Sequence, residues 1–232
     1  MCGRFSLLTN VKAIIERFGI GEPEVRPQPR YNIAPAQMIS VVVNGANRRL
    51  TSMKWGLVPS WARDEKIGQK LINARAETIL AKPPFRVAIK KRRCFILADG
   101  FFEWQRIGKL KRPMYIRLKS REPFAFAGIY EIWKTPENRL IHSCAIITTT
   151  PNDILQPIHN RMPVILSRDN EKQWLDISIE KADEIVEMLK PYPSSEMEAY
   201  EVSTFVNSPS NTGSECIRPV SQSVLDRKGN SQ

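Results

Sequence analysis

Between residues 94 and 149 the chain passes through closely set runs of strand-forming side chains: Cys94–Ala98, Phe101–Arg106, Met114–Leu118, Phe124–Tyr130 and Ser143–Thr149. Apolar, β-branched and aromatic residues suit a pleated, half-buried surface, and strands joined by tight turns pair antiparallel. Met114–Leu118 is expected to pair with Phe101–Arg106 across a turn at Gly108. A second hairpin is expected where Ile39–Val43 and Arg48–Trp55 flank Asn44-Gly45, the chemistry of a type I′ turn.

Around these strands the helix signals are few. Thr9 or Asn10 can cap a helix carrying Val11, Ile14, Ile15 and Phe18 at helical spacing, with Gly19 ending it. A short helix is expected within 84–92, after Pro83-Pro84, and two more at 168–176 and 178–190, stopped by Pro191-Tyr192-Pro193. The proline-rich residues 21–37 read as an irregular crossing segment. Glu201–Val206 and Glu215–Val220 read as closing strands, and 221–232 as a polar, disordered tail. The expected fold class is α+β, one domain over residues 1–220 dominated by antiparallel strands, with a few flanking helices.

Length and composition agree with this: 232 residues at 42% hydrophobic content can bury one substantial core. The longest apolar runs, Ile39–Val43 and Phe124–Tyr130, are too short to cross a bilayer, and no secretory signal opens the chain, so a cytoplasmic protein is expected. Four cysteines without CxxC spacing and two histidines argue against a zinc site, and no cofactor is expected. The net charge of +11 suits a polyanion. The clusters Lys90–Arg93 and Lys109–Arg112 read first as solvated faces and second as phosphate contacts.

The start Met1-Cys2-Gly3-Arg4 carries the distinctive chemistry. Methionine is commonly trimmed before a small residue, which would leave Cys2 as a 1,2-aminothiol. A terminal amine titrates near pH 8 and a thiol near 8.5, so both nucleophiles are accessible at neutral pH. An aldehyde can be taken first by nitrogen and then by sulfur, closing a five-membered thiazolidine.

Several blocks occur in order: Cys2-Gly3-Arg4-Phe5, Arg30–Pro35, Trp55–Trp61, Asn73–Thr78, Asp99–Trp104, Thr148-Thr149, Ile158–Val164 and Val206-Asn207. Together they resemble the SRAP family, the SOS response-associated peptidases, also called abasic site processing proteins. The resemblance implies an SRAP-type curved sheet or barrel. It also implies a sensor of abasic sites in single-stranded DNA that crosslinks through Cys2, shields the lesion during the DNA damage response, and has possible lyase and autoproteolytic activities.

On that resemblance the catalytic residues are Cys2, Asn73, Glu103 and His159. Glu103 and His159 would move protons, and Asn73 would hold the terminal amine or a sugar hydroxyl without adding charge. The DNA-binding residues are Arg4, Trp61, Arg75, Trp104 and Arg161: guanidinium forks for phosphates and indoles for stacking. The expected partner is single-stranded DNA containing abasic sites, met by a monomer that is nucleoid-associated when bound, with no membrane. Without the resemblance, Glu103 reads as the outward residue of an alternating strand, Asn73 as a turn residue, and the tryptophans as core. Two rivals are an N-terminal-nucleophile amidohydrolase and a non-catalytic module that binds single strands.

Overall fold

A computed structural model describes residues 2–21, 23–45 and 47–220; the expected tail at 221–232 lies outside them. The chain first forms β1 (Phe5–Leu7) and helix α1 (Val11–Phe18), then β2 (Arg30–Ile33), β3 (Met38–Val43), β4 (Arg49–Trp55) and β5 (Asn73–Arg75). The short helix α2 (Ala88–Lys91) precedes β6 (Arg93–Ala98), β7 (Gly100–Ile107), β8 (Leu110–Leu118), β9 (Phe124–Lys134), β10 (Leu140–Thr149) and β11 (Met162–Pro163). Helices α3 (Arg168–Trp174) and α4 (Ala182–Glu187) and strand β12 (Met197–Glu201) follow. The α+β class dominated by antiparallel strands is what the structure has.

Five strands close on themselves. β10 pairs with β4, β4 with β3, β3 with β6, β6 with β9, and β9 again with β10, so this barrel has no free edge between those members. β10 runs parallel to β4 and to β5, whereas the other ring pairings are antiparallel. Every residue of β6 is buried, because Phe95 meets Phe18 of α1 while the strand sits between β3 and β9. That explains why Cys94–Ala98 is a continuous apolar run without alternation.

A second sheet, in the order β12-β8-β7-β1-β2, leans on the barrel. Phe5 of β1 packs edge-on against Trp55 and Phe126, and Phe101 of β7 also meets Phe126, at centroid separations of 5.1 to 5.9 Å. The far side of this sheet buries Phe102 and Tyr115 with Val202, Val206 and Cys216. With both faces of β7 covered, strand alternation no longer sends every second side chain to water.

Helix α1 begins where Asn10 accepts from the Ala13 N–H and ends at Gly19, whose φ of 58° and ψ of 45° lie in the left-handed region. The β7–β8 hairpin turns at Gly108-Lys109, with Gly108 at φ 59° and Ile107 facing Leu110.

Three expectations are corrected. Val43 faces Arg49, so the two strands are not joined by a two-residue type I′ turn at Asn44-Gly45, and Gly45 lacks a positive φ. Arg30–Ile33, inside the segment expected to be irregular, adds a strand beside β1. The stretches expected as closing strands instead hold 3-10 turns at Thr204–Asn207 and Ser214–Ile217, and the closing strand is Met197–Glu201, paired to β8. Polar residues on one face of β12 masked its period; the first turn that follows is held by side chains from β2 and the N-terminus, and the second by the Tyr200 hydroxyl on the Ile217 carbonyl. The expected short helix within 84–92 is confined to α2. Among the described residues, no helix is long and apolar enough to cross a membrane.

Candidate active site

The β1–β7 ladder places the N-terminal residues. Phe5 faces Phe101, and the Phe102 N–H donates to the Arg4 carbonyl at 2.9 Å, so residues 2–4 continue along Phe102–Trp104. Two details hold that register. The carboxylate of Asp99 accepts from the N–H groups of Leu8 and Thr9 and from the Thr9 hydroxyl, clamping the far end of β1. Gly100, opposite Ser6, leaves room for the Tyr115 ring: a Cβ there would sit 2.4 Å from its Cζ and hydroxyl. The hydroxyls of Ser6 and Tyr115 then hydrogen-bond at 2.7 Å.

Cys2 is fully buried. Burial is the main cause that pushes its thiol pKa up, and the neighbouring Glu103 carboxylate adds to it. Glu103 is 3% exposed, because its strand is covered on both faces, and burial raises its pKa to about 7. The Trp104 backbone hydrogen bond acts in the opposite direction. A carboxyl poised there can give or take a proton near neutrality, which an exposed one cannot do efficiently.

Asn73 opens β5, where parallel pairing with Ile146 of β10 fixes its backbone. Its Nδ2 donates to the Cys2 carbonyl at 2.8 Å, while its buried Oδ1 makes no hydrogen bond among the described residues. That oxygen is an acceptor available beside the N-terminal residue.

His159 comes from a turn built by Asn152, whose Oδ1 accepts from the Leu155 N–H and whose Nδ2 donates to the Tyr192 carbonyl. Gln105 of β7 donates to the Pro157 carbonyl at 3.1 Å, tying that turn to the Glu103 strand. The His159 Nδ1 accepts from the Arg161 N–H at 3.0 Å, so the neutral ring carries its proton on Nε2. Burial first, then nearby positive charges including Arg106 and Arg161, hold its pKa below the ordinary imidazole value. Glu103 and His159 line one cleft of about 400 Å³ with Trp104, Arg106, Lys111 and Asn207.

The five residues assigned to DNA are distributed differently. Arg4 points inward: its guanidinium donates to Asn32 Oδ1 at 2.7 Å and to the Val206 carbonyl at 2.8 Å, and lies 5.7 Å from the Trp104 ring. Asn32 extends the clamp to the carbonyls of Ser208 and Asn211. Arg161 is held in a bidentate pair with Glu77 at 2.7 and 3.0 Å and donates to the Thr148 carbonyl at 2.6 Å. Trp104 is half-buried in the cleft wall, donating from Nε1 to Asn207 Oδ1 at 2.8 Å. Arg75 is exposed at the end of β5. Trp61 is 58% exposed and lines a separate depression with Arg63 and Lys66, so it does not join the Glu103 cleft.

Sequence reasoning did not assign Arg106 or Glu77 to the site, and it met Lys111 only within the Lys109–Arg112 cluster, read first as a solvated face and second as phosphate contacts. Arg106 and Lys111 face each other across the β7–β8 hairpin, a pairing that needs the register set at the Gly108 turn. Among the described residues, no cluster of three or more His, Cys, Asp or Glu side chains is gathered as a metal ion would require.

The family model for SOS response associated peptidase (SRAP) matches residues 1–209. The abasic site processing protein YoqW of Bacillus subtilis is 51% identical over 221 residues, covering 94% of this chain and 99% of that protein. The abasic site processing protein HMCES of Gallus gallus is 31% identical, covering 87% of this chain and 69% of its own length. A crystal structure of a Bacteroides thetaiotaomicron protein superimposes with a TM-score of 0.86 at 31% identity, over 94% of this chain and all of that one. With the match running unbroken from Cys2 to the Asn207 wall of the cleft, the chain belongs to the SOS response associated peptidase family.

Proposed function

We propose that this protein captures abasic sites in single-stranded DNA by forming a thiazolidine with Cys2 once Met1 has been removed, shielding the lesion during the DNA damage response. The names of its relatives support abasic site processing. The observation that carries the reading is that Cys2 is held by Asn73 and neighbours Glu103, whose carboxyl lines the cleft that His159 shares.

The chemistry follows from the groups present. An abasic deoxyribose opens to an aldehyde at C1′. With its thiol held neutral by burial, Cys2 attacks first through its amine; the carbinolamine loses water to give an imine. The sulfur then adds to the same carbon as Glu103 accepts the thiol proton and the imine nitrogen gains one. The product is the sum of aldehyde and aminothiol less one water. His159, neutral with Nε2–H, assists sugar opening and the reverse reaction, and from the imine it serves β-elimination, the lyase route. The same carboxyl and thiol suffice for self-removal of Met1, although an ordinary aminopeptidase would also do it.

Arg75, Trp61 and Trp104 supply exposed or cleft-facing surface for the flanking strand, where stacking contributes roughly 1 to 3 kcal/mol per base without sequence preference. Arg4 and Arg161 act on that surface by holding the walls on which Trp104 and His159 stand. The working unit is residues 1–220, acting as a cytoplasmic monomer.

The test is intact mass and a denaturing gel after mixing the processed protein with a single-stranded oligonucleotide carrying one abasic site. A denaturation-resistant adduct at the summed mass less one water is expected, and none with intact DNA. One residue added ahead of Cys2 should prevent it. An adduct made while Met1 is still attached, or mapped to another side chain, sinks the reading. Glutamine hydrolysis without an adduct would favour the amidohydrolase instead.

A further inference from the structure

The β7–β8 hairpin carries an electrostatic arrangement that its own contacts leave unbalanced. Arg106 and Lys111 are directly opposed across the hairpin, so their side chains leave from the same face, and both line the cleft with Glu103 and His159. Like charges opposed across an antiparallel pair are destabilising unless something neutralises them. Elsewhere in this sheet that is done internally: Arg112 pairs with Glu201 at 3.6 Å and Arg117 with Glu198 at 2.7 Å. Among the described residues, neither Arg106 nor Lys111 has a carboxylate within ion-pair distance, and both are exposed.

We propose that Arg106 and Lys111 form a two-pronged clamp for one backbone phosphate beside the lesion, holding the strand so that its sugar enters the Glu103–His159 cleft. This rests on the reading above for what enters the cleft, but the clamp itself requires only a polyanionic strand. The planar guanidinium of Arg106 suits two oxygens of one phosphate, and the Lys111 ammonium supplies a movable point charge opposite it. Arg106 and Lys111 line the same cleft as Glu103 and His159, which places the clamp beside the reacting groups. Trp104, two residues before Arg106 on the same strand face, offers its ring to the neighbouring base while the phosphate is gripped.

The test uses the full chain and a single-stranded oligonucleotide with an internal tetrahydrofuran abasic mimic. This mimic has no aldehyde and cannot crosslink, so binding reports the clamp apart from the chemistry of Cys2. Each phosphate neutralised on a single strand contributes roughly 0.7 to the slope of log affinity against log salt, so an Arg106→Gln/Lys111→Gln double variant, which gives up the one clamped phosphate, should be shallower by about 0.7. At 0.1 M salt its affinity should fall on the order of tenfold. The charge-keeping pair Arg106→Lys/Lys111→Arg should restore most of both. An unchanged affinity and slope overturns the clamp, as does a loss that the charge-keeping variant fails to restore. A wild-type protein that binds the mimic with the expected slope but never crosslinks a true abasic site would leave the clamp standing and remove the Cys2 reading.

Discussion

Glu103 should make the protein less stable as pH rises, and Glu103→Gln should remove that dependence. Its carboxyl lies in a covered strand, 3% exposed, with a pKa displaced from 4.5 to about 7 mainly by burial. Between those two values the folded protein keeps a proton that the unfolded chain has lost, so unfolding becomes easier as pH climbs. At about 1.36 kcal/mol per pH unit, the displacement amounts to roughly 3 kcal/mol, all of it incurred between pH 4.5 and 7 and constant above. Gln also changes the hydrogen bonding, which offsets the variant's stability by an amount that does not vary with pH; the pH-dependent part is what counts. Urea denaturation of both proteins at pH 4.5 and at 8 should show the stability difference, variant minus wild type, moving in the variant's favour by about 3 kcal/mol. For a chain of this size that corresponds to roughly 6 to 12 °C in melting temperature. Crosslinking should change with the same group: wild-type rates should rise several-fold from pH 6 to 7 as the base form accumulates, and the variant should lack that inflection. A stability difference that stays constant across the range refutes the buried, proton-holding carboxyl on which the chemistry depends.

Arg4→Met should cost about 2 to 4 kcal/mol, because the Val206 carbonyl and Asn32 Oδ1 lose a buried charged donor, and limited proteolysis should open first at residues 204–217; a loss under about 1 kcal/mol speaks against the clamp. Gly100→Ala drives a methyl into the Tyr115 ring and toward the Ile116 carbonyl, and should lower the melting temperature by several degrees, with roughly 2 kcal/mol lost; a neutral effect means β1 is not seated as described. Asn73→Ala removes a single hydrogen bond to Cys2, so stability should drop only about 1 kcal/mol while single-turnover crosslinking slows on the order of tenfold; equal rates would leave Asn73 a structural residue.

The sequence made the strands legible because their side chains are sorted by local burial. Cys94–Ala98 is apolar throughout as its strand is covered on both sides, and Gly108 marks the hairpin turn that follows from a positive φ. Helix α1 was equally plain, since its cap and its left-handed stop are properties of single residues, Asn10 and Gly19. What stayed hidden depends on partners far along the chain. The 3-10 turns near Val206 and Cys216 have no periodicity of their own: Arg4 and Asn32, far earlier in the chain, bind the carbonyls of Val206, Ser208 and Asn211, and the Tyr200 hydroxyl donates to the Ile217 carbonyl.

The same distance explains the arginines. A guanidinium next to a catalytic residue looks alike in sequence whether it meets a phosphate or a carboxylate, and what separates Arg161 from Arg75 is Glu77, which satisfies the first and leaves the second exposed. Arg106 and Lys111 show the converse. Within the sequence Arg106 is one more basic residue among thirty-five and Lys111 one member of a basic cluster, and only the hairpin register opposes them across the mouth of a cleft. Charge alone therefore indicates a polyanionic partner, whereas the place where that partner is gripped follows from which cations the fold leaves without a carboxylate of their own.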